Sequence, residues 1–158
     1  MSKRGVILIV FWLGVVSSIP RIPAAQGNAP KDAPVSGDAE QAKKLEAAIA
    51  PYVEKVRETL PSPKTKYLAG LPKNHIFYVT IKLYDPSKNY EVVFVKVTSW
   101  KADTIQGILD SDVTIVKDHS QGEKLTCHET DVLDWTISKP DGTEEGNLVG
   151  KFLDNYHP

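Results

Sequence analysis

Apolar residues recur at steps of three and four along one early stretch of the chain: Leu45, Ala48, Ile49, Tyr52, Val53, Val56 and Leu60. That spacing puts them on one face of an α-helix, so an amphipathic helix is predicted from Asp38 to Leu60. Ser36 or Asp38 can cap its start by accepting from the free amides of the first turn. Pro51 removes one helical hydrogen bond and crowds the preceding turn, which predicts a kink or two consecutive helices. Leu60-Pro61-Ser62-Pro63 predicts the end of the segment, because residues before proline avoid the α region.

After Pro72 the period changes from helical to extended. His75 to Tyr84 is rich in β-branched and aromatic residues, as strands are. Asp85-Pro86-Ser87-Lys88-Asn89 reads as a turn, and Tyr90 to Trp100 returns as a second strand, giving a long hairpin over 75–100. Shorter strands are predicted at Thr104–Leu109, Val113–Lys117 and Lys124–His128. A last pair, Asp134–Ser138 with Leu148–Phe152, is predicted across the turn Lys139-Pro140-Asp141-Gly142. The fold class is therefore α+β: an N-terminal helix packed on a largely antiparallel sheet of five or more strands, with enough strands to coil toward a barrel.

The pattern before the helix has a different meaning. Lys3 and Arg4 precede an apolar run from Gly5 to Val16, which Ser17, Ser18 and Pro20 break. This is the layout of a secretory signal peptide over 1–25, too short for the roughly 20 apolar residues of a membrane span. Residues 26–37 read as a flexible linker, and 38–158 as a single domain. The expected destination is secreted or periplasmic, with no stable membrane span after cleavage.

The whole chain carries a formal net charge of −1. Loss of Lys3, Arg4 and Arg21 with the leader makes the remainder more acidic, so it lacks the basic face that nucleic-acid binding needs. Cys127 is the one cysteine, and no internal disulfide can form.

Leu125-Thr126-Cys127-His128-Glu129 concentrates reactive side chains. On a strand Cys127 faces with Leu125 and Glu129, while His128 faces away with Thr126. Thiol and imidazole cannot then form a nucleophile–base pair, and Cys127 reads as a small core residue. His75, His119 and His157 are scattered over unrelated contexts. No zinc-ligand spacing occurs, and Asp141, Glu144 and Glu145 lack the order of a calcium loop. Neither a cofactor nor a metal is implied. Glu91, Asp131 and Asp134 are the carboxylates available to a hydrolase, which would need a pair about 5–9.5 Å apart. Trp100 and Trp135 are candidate anchors of a binding face if exposed, and core residues otherwise. A buried Trp135 would need a partner for its indole N–H, with Asp134 as a candidate acceptor.

Landmarks recur in a definite order: Glu58-Thr59-Leu60-Pro61, the strand HIFYVTIKLYD, Glu91 opening EVVFVKV, Gly107-Ile108-Leu109, Gly122-Glu123, Asp134-Trp135, Asp141-Gly142, Gly146 and Gly150-Lys151-Phe152-Leu153. In that order they resemble the YegJ-like family, domain of unknown function 2314, over about residues 45–153. The resemblance implies the fold and brings no established activity. The chain departs from the family's E-H-x-W at Glu91-Val92-Val93-Phe94, and from its N-x-P at Asp110-Ser111-Asp112. A family site built on those residues would be incomplete here.

With no catalytic constellation in the sequence, the expected function is a non-enzymatic binding or interaction domain of the cell envelope. Its partner would be an envelope protein or a small ligand, recognised near Trp100, Trp135, Asp134 and Glu91. The alternatives are a hydrolase using Glu91, Asp131 and Asp134, or an inhibitor or immunity-type protein.

Overall fold

Ile49, Val53, Val56 and Leu60, spaced four, three and four residues apart, form the buried stripe at the helical face of the core. They belong to a computed structural model that describes residues 39–156. The leader, the linker, both proposed helix caps and His157 lie outside the described residues.

Helix α1 spans Ala39–Thr59 and passes through Pro51 as one element. The break comes at the next proline pair instead, where Pro61 begins a second helix, α2, at Pro61–Ala69. Leu60, expected to leave the helical region ahead of proline, keeps φ −55° and ψ −32°. Pro61 tolerates this because the first helical position needs no N–H donor. The amide of Leu60 still reaches the carbonyl of Val56 at 2.8 Å.

Six strands follow: β1 Ile76–Tyr84, β2 Tyr90–Lys101, β3 Thr104–Leu109, β4 Lys124–His128, β5 Asp134–Ser138 and β6 Glu144–Gly146. They form an antiparallel sheet in the order β4-β3-β2-β1-β5-β6. The sheet stays open, with β4 and β6 as its edges, and does not close into a barrel. A 3₁₀ turn at Glu129–Asp131 links β4 to β5, and a short helix α3, Leu148–Leu153, closes the domain.

One face of the sheet packs on the helices. Phe77, Val79, Ile81 and Leu83 of β1 lie beside Val93, Val95 and Val97 of β2, with Trp135 and Ile137 of β5 on the other side. The alternation in β2 is reset by a register shift between Val97 and Ser99. One extra residue, Thr98, turns the strand so that Trp100 also enters the core, beside Ile105 and Cys127. Strict alternation would put Val97 and Trp100, three residues apart, on opposite faces; the bulge lets them share one.

Two predicted strands take other forms. Val113–Lys117 lies in the irregular connection between β3 and β4, which pair directly with each other. Leu148–Phe152 is helical, and the turn at Lys139–Gly142 leads instead into Glu144–Gly146. The cause is the same in both places, a buried acid, and both acids are candidates for chemistry by sequence.

Candidate functional site

Glu91 is the second residue of β2 and is buried, at 4% exposure. Its carboxylate accepts from the amides of Thr114 at 3.0 Å, Ile115 at 2.8 Å and Val116 at 3.4 Å, and from the Thr114 hydroxyl at 3.0 Å. Three consecutive amides that would otherwise seek a strand partner are thereby satisfied. Burial works to raise the Glu91 pKa, but the donors from Ile115, Thr114 and Val116 outweigh it, and the carboxyl sits below its ordinary range.

Asp134 opens β5 and is 1% exposed. It accepts from the amides of Leu148 at 3.2 Å, Val149 at 2.6 Å and Gly150 at 3.3 Å, and from that of Trp135 at 2.8 Å. An acceptor on the first amides of α3 is what a helix start lacks. Here burial dominates over those four donors, and the carboxyl is held above its ordinary range.

The structure keeps these acids apart. Glu91 pairs across from Leu83 and Asp134 across from Thr80, on opposite sides of β1. Their backbones are separated by about 9.5 Å across the strands and about 10 Å along β1. Asp131 is exposed in the 3₁₀ turn, where it accepts the His128 amide at 2.8 Å. No two of the three share a cleft, and the two buried ones are occupied by backbone donors.

Cys127 is buried and His128 is exposed on the other side of β4, as alternation predicts. Burial, helped by the charge of Asp131, pushes the thiol up to about 11. Among the described residues no group of three or more His, Cys, Asp or Glu could hold a metal ion.

Trp100 and Trp135 are 4% and 7% exposed, so neither presents its ring to solvent as an anchor would. Trp135 has no acceptor for its indole nitrogen among the described residues; Asp134 takes its backbone amide instead. Trp100 gives its indole N–H to Glu129 at 2.7 Å. It also belongs to an aromatic cluster: Phe77 meets Trp100 edge-on at 5.6 Å between ring centroids, and Tyr67 of α2 meets Phe77 edge-on at 5.5 Å.

That cluster is the floor of a cleft of about 420 Å³. The β1–β2 ladder stops at Tyr78↔Lys96, although β1 begins at Ile76 and pairs there with β5, and β2 continues to Lys101 and pairs there with β3. β2 therefore runs on past the start of β1 at this end of the sheet, and the end of α2 lines the opening with Tyr67 and Leu68, joined by Leu71 just beyond the helix. His75 and Lys96 are its titratable lining besides Tyr67, and among the described residues no acid lines it. Leu68 is 58% exposed. A second, more open groove of about 710 Å³ lies where α1 meets α3, built on the stacked rings of Tyr52 and Phe152 at 4.5 Å and on Tyr156.

Of the four residues expected to bind a partner, the cleft uses only Trp100. Sequence reasoning misses Tyr67, Leu68, Leu71, His75 and Lys96 because Leu60-Pro61-Ser62-Pro63 reads as the end of the helical region. The spacing of Tyr67, Leu68 and Leu71, at steps of one and three, is the signal that could have found the α2 part of the lining.

Residues 53–155 match the profile of a family described as uncharacterized protein conserved in bacteria (DUF2314). No curated protein and no solved structure matches.

Proposed function

The chain belongs to the DUF2314 family of uncharacterized proteins conserved in bacteria, and on that premise we propose that it is an exported domain of the cell envelope that binds a partner and turns nothing over. One observation carries the binding half: the two buried carboxylates best placed for chemistry, Glu91 and Asp134, are engaged by runs of backbone amides. An acid held in this way stabilises chain geometry, and it offers no free lone pair to a substrate proton. The cleft at the start of β1, by contrast, presents the half-buried Tyr67 and an exposed Leu68 in a concave site, which is how ligand pockets are built. The export half rests on the leader-like layout of residues 1–25. Among the described residues no helix is long and apolar enough to cross a membrane.

The test has two arms. Expression in a bacterium with a C-terminal tag, followed by fractionation and intact mass, is expected to yield an envelope or periplasmic product that has lost its leader near Ala24 or Ala25. Recovery of the uncleaved chain in the cytosol would overturn export. A panel of hydrolase substrates is expected to give no turnover. Activity that disappears in folded Glu91→Gln or Asp134→Asn protein would overturn the binding reading.

A further inference from the structure

We propose that the face of β2, β3 and β4 turned away from the helices rests on an anionic lipid surface, with Lys96, Lys101 and Lys124 against its phosphates. This face adjoins the cleft at Lys96 and does not depend on it.

Register brings the three lysines together. Lys96 pairs with Ile108 and Ile108 with Lys124, so one row across the three strands carries an ammonium at each end. Two strand spacings, about 10 Å, separate them. Lys101 pairs with Thr104 and Thr104 with His128 in a second row, about 14 Å further along the strands. Lys96 and Lys101 are an odd number of residues apart, and strict alternation would turn them to opposite faces. The bulge at Thr98 turns both outward, as an extra residue in one strand does. Lys96, Lys101, Lys124 and His128 are all exposed.

The charge of this face is uncompensated. Lys64, Lys66, Lys82 and Lys151 each pair with a glutamate, whereas Lys96, Lys101 and Lys124 have no acidic partner among the described residues. Glu91 is the one acid in the three strands, and it is buried. Two acids border the face: Asp103 stands 3.8 Å from His128, and Asp110 accepts the Tyr78 hydroxyl at 2.9 Å. A chain with a formal net charge of −1 thus gathers a basic face by register, which its composition does not reveal.

The make-up of the face selects its occupant. Protein interfaces are depleted in lysine and enriched in aromatic residues, and single-stranded nucleic acid needs aromatic platforms for its bases. The outward positions of these strand segments hold no Phe, Tyr or Trp, since Trp100 points into the core; Ile108, Gln106 and Thr126 fill the space between the lysines. Three lysines also fall short of the roughly six to ten phosphate contacts that make a strong duplex binder. A bilayer surface asks less. Each lysine brought to anionic headgroups strengthens binding about fivefold, and no side chain has to enter the hydrocarbon.

The probe is a bicelle of equal parts phosphatidylcholine and phosphatidylglycerol with a headgroup spin label, titrated into the full chain with amide line broadening as the readout. Broadening is expected at Thr98, Gln106 and Thr126, and none with phosphatidylcholine alone. It should reverse as salt rises from about 0.1 M to about 1 M, where the screening length falls from about 10 Å to about 3 Å. The triple variant Lys96→Gln, Lys101→Gln, Lys124→Gln changes only exposed positions and should keep the amide spectrum elsewhere. It is expected to need on the order of a hundredfold more lipid for the same broadening. Lys55→Gln, the same change of charge on α1, should behave as wild type. Residues 1–25 are common to all these chains, so binding through them produces none of the differences. No broadening on this face, broadening that the triple variant retains, or equal broadening by neutral bicelles would overturn the proposal. So would capture of inorganic polyphosphate by the same lysines with no approach to the bicelles, which would assign the face to a soluble polyanion.

Discussion

Trp100 donates its indole N–H to Oε1 of Glu129 at 2.7 Å, joining β2 to the 3₁₀ turn that follows β4. Lys64 of α2 bonds the same oxygen, and its ammonium lies 5.4 Å from the centroid of the Trp100 ring. One acid thus ties three elements around a core aromatic. Glu129→Ala leaves the indole without its acceptor and the Lys64 ammonium with the Ala102 carbonyl alone, and is expected to cost about 1–3 kcal/mol. Lys64→Met keeps the aliphatic stem against the ring and leaves the indole bond intact, so it is expected to cost under about 1 kcal/mol. Urea denaturation followed by tryptophan fluorescence separates the two.

The two amide-bound carboxylates titrate in opposite senses. Glu91 has a lowered pKa in the fold, so its stabilisation is present above the unfolded value, about 4.3, and is lost as pH falls through the folded one. Asp134 has a raised pKa, so the fold holds its proton more tightly than the unfolded chain does. Its contribution declines as pH rises from about 3.9 through the folded value. Denaturation curves over a pH series should show the gap between wild type and Glu91→Gln widening with pH. The gap between wild type and Asp134→Asn should narrow over its own window. Each variant turns an amide group toward backbone donors and is expected to lose about 1–3 kcal/mol near neutrality.

Gly146 has φ +85°, and a Cβ there would stand 2.6 Å from the ring carbon Cε3 of Trp135 and closer still to its carbonyl oxygen. Backbone conformation and space both exclude a side chain. Gly146→Ala is expected to destabilise by about 1–3 kcal/mol, and the near-ultraviolet circular dichroism of Trp135 should report the displacement.

With its pKa pushed up to about 11 by burial, the Cys127 thiol is ionised in on the order of one molecule in a thousand at pH 8. Alkylation of the native chain should therefore be slow and should accelerate sharply in denaturant. Rapid native labelling would show that β4 opens to solvent.

Much of the fold was legible because it depends on neighbours in sequence. β-Branched and aromatic runs between turn residues located the hairpin over 75–100 and the strands at 104–109, 124–128 and 134–138, and period-two alternation separated Cys127 from His128. The two segments that departed from it, Thr114-Ile115-Val116 and Leu148-Val149, are β-branched or apolar runs that local propensity assigns to strands. What overrides propensity is an acid 23–25 residues away in the first case and 14–15 in the second. No local window contains that information. The site fared worse for a related reason: the cleft lies where β2 runs on past the start of β1, and that offset is a property of register and not of composition.

A chain with one cysteine cannot shorten its loops with a disulfide. Glu91 nevertheless pins the connection between β3 and β4 to the start of β2 through three successive amides, which limits the freedom of that segment as a cross-link would. A covalent bridge is undone by a reductant; this fastening is undone by protons. The domain's integrity is therefore indifferent to the thiol–disulfide poise of its surroundings and answers to their acidity.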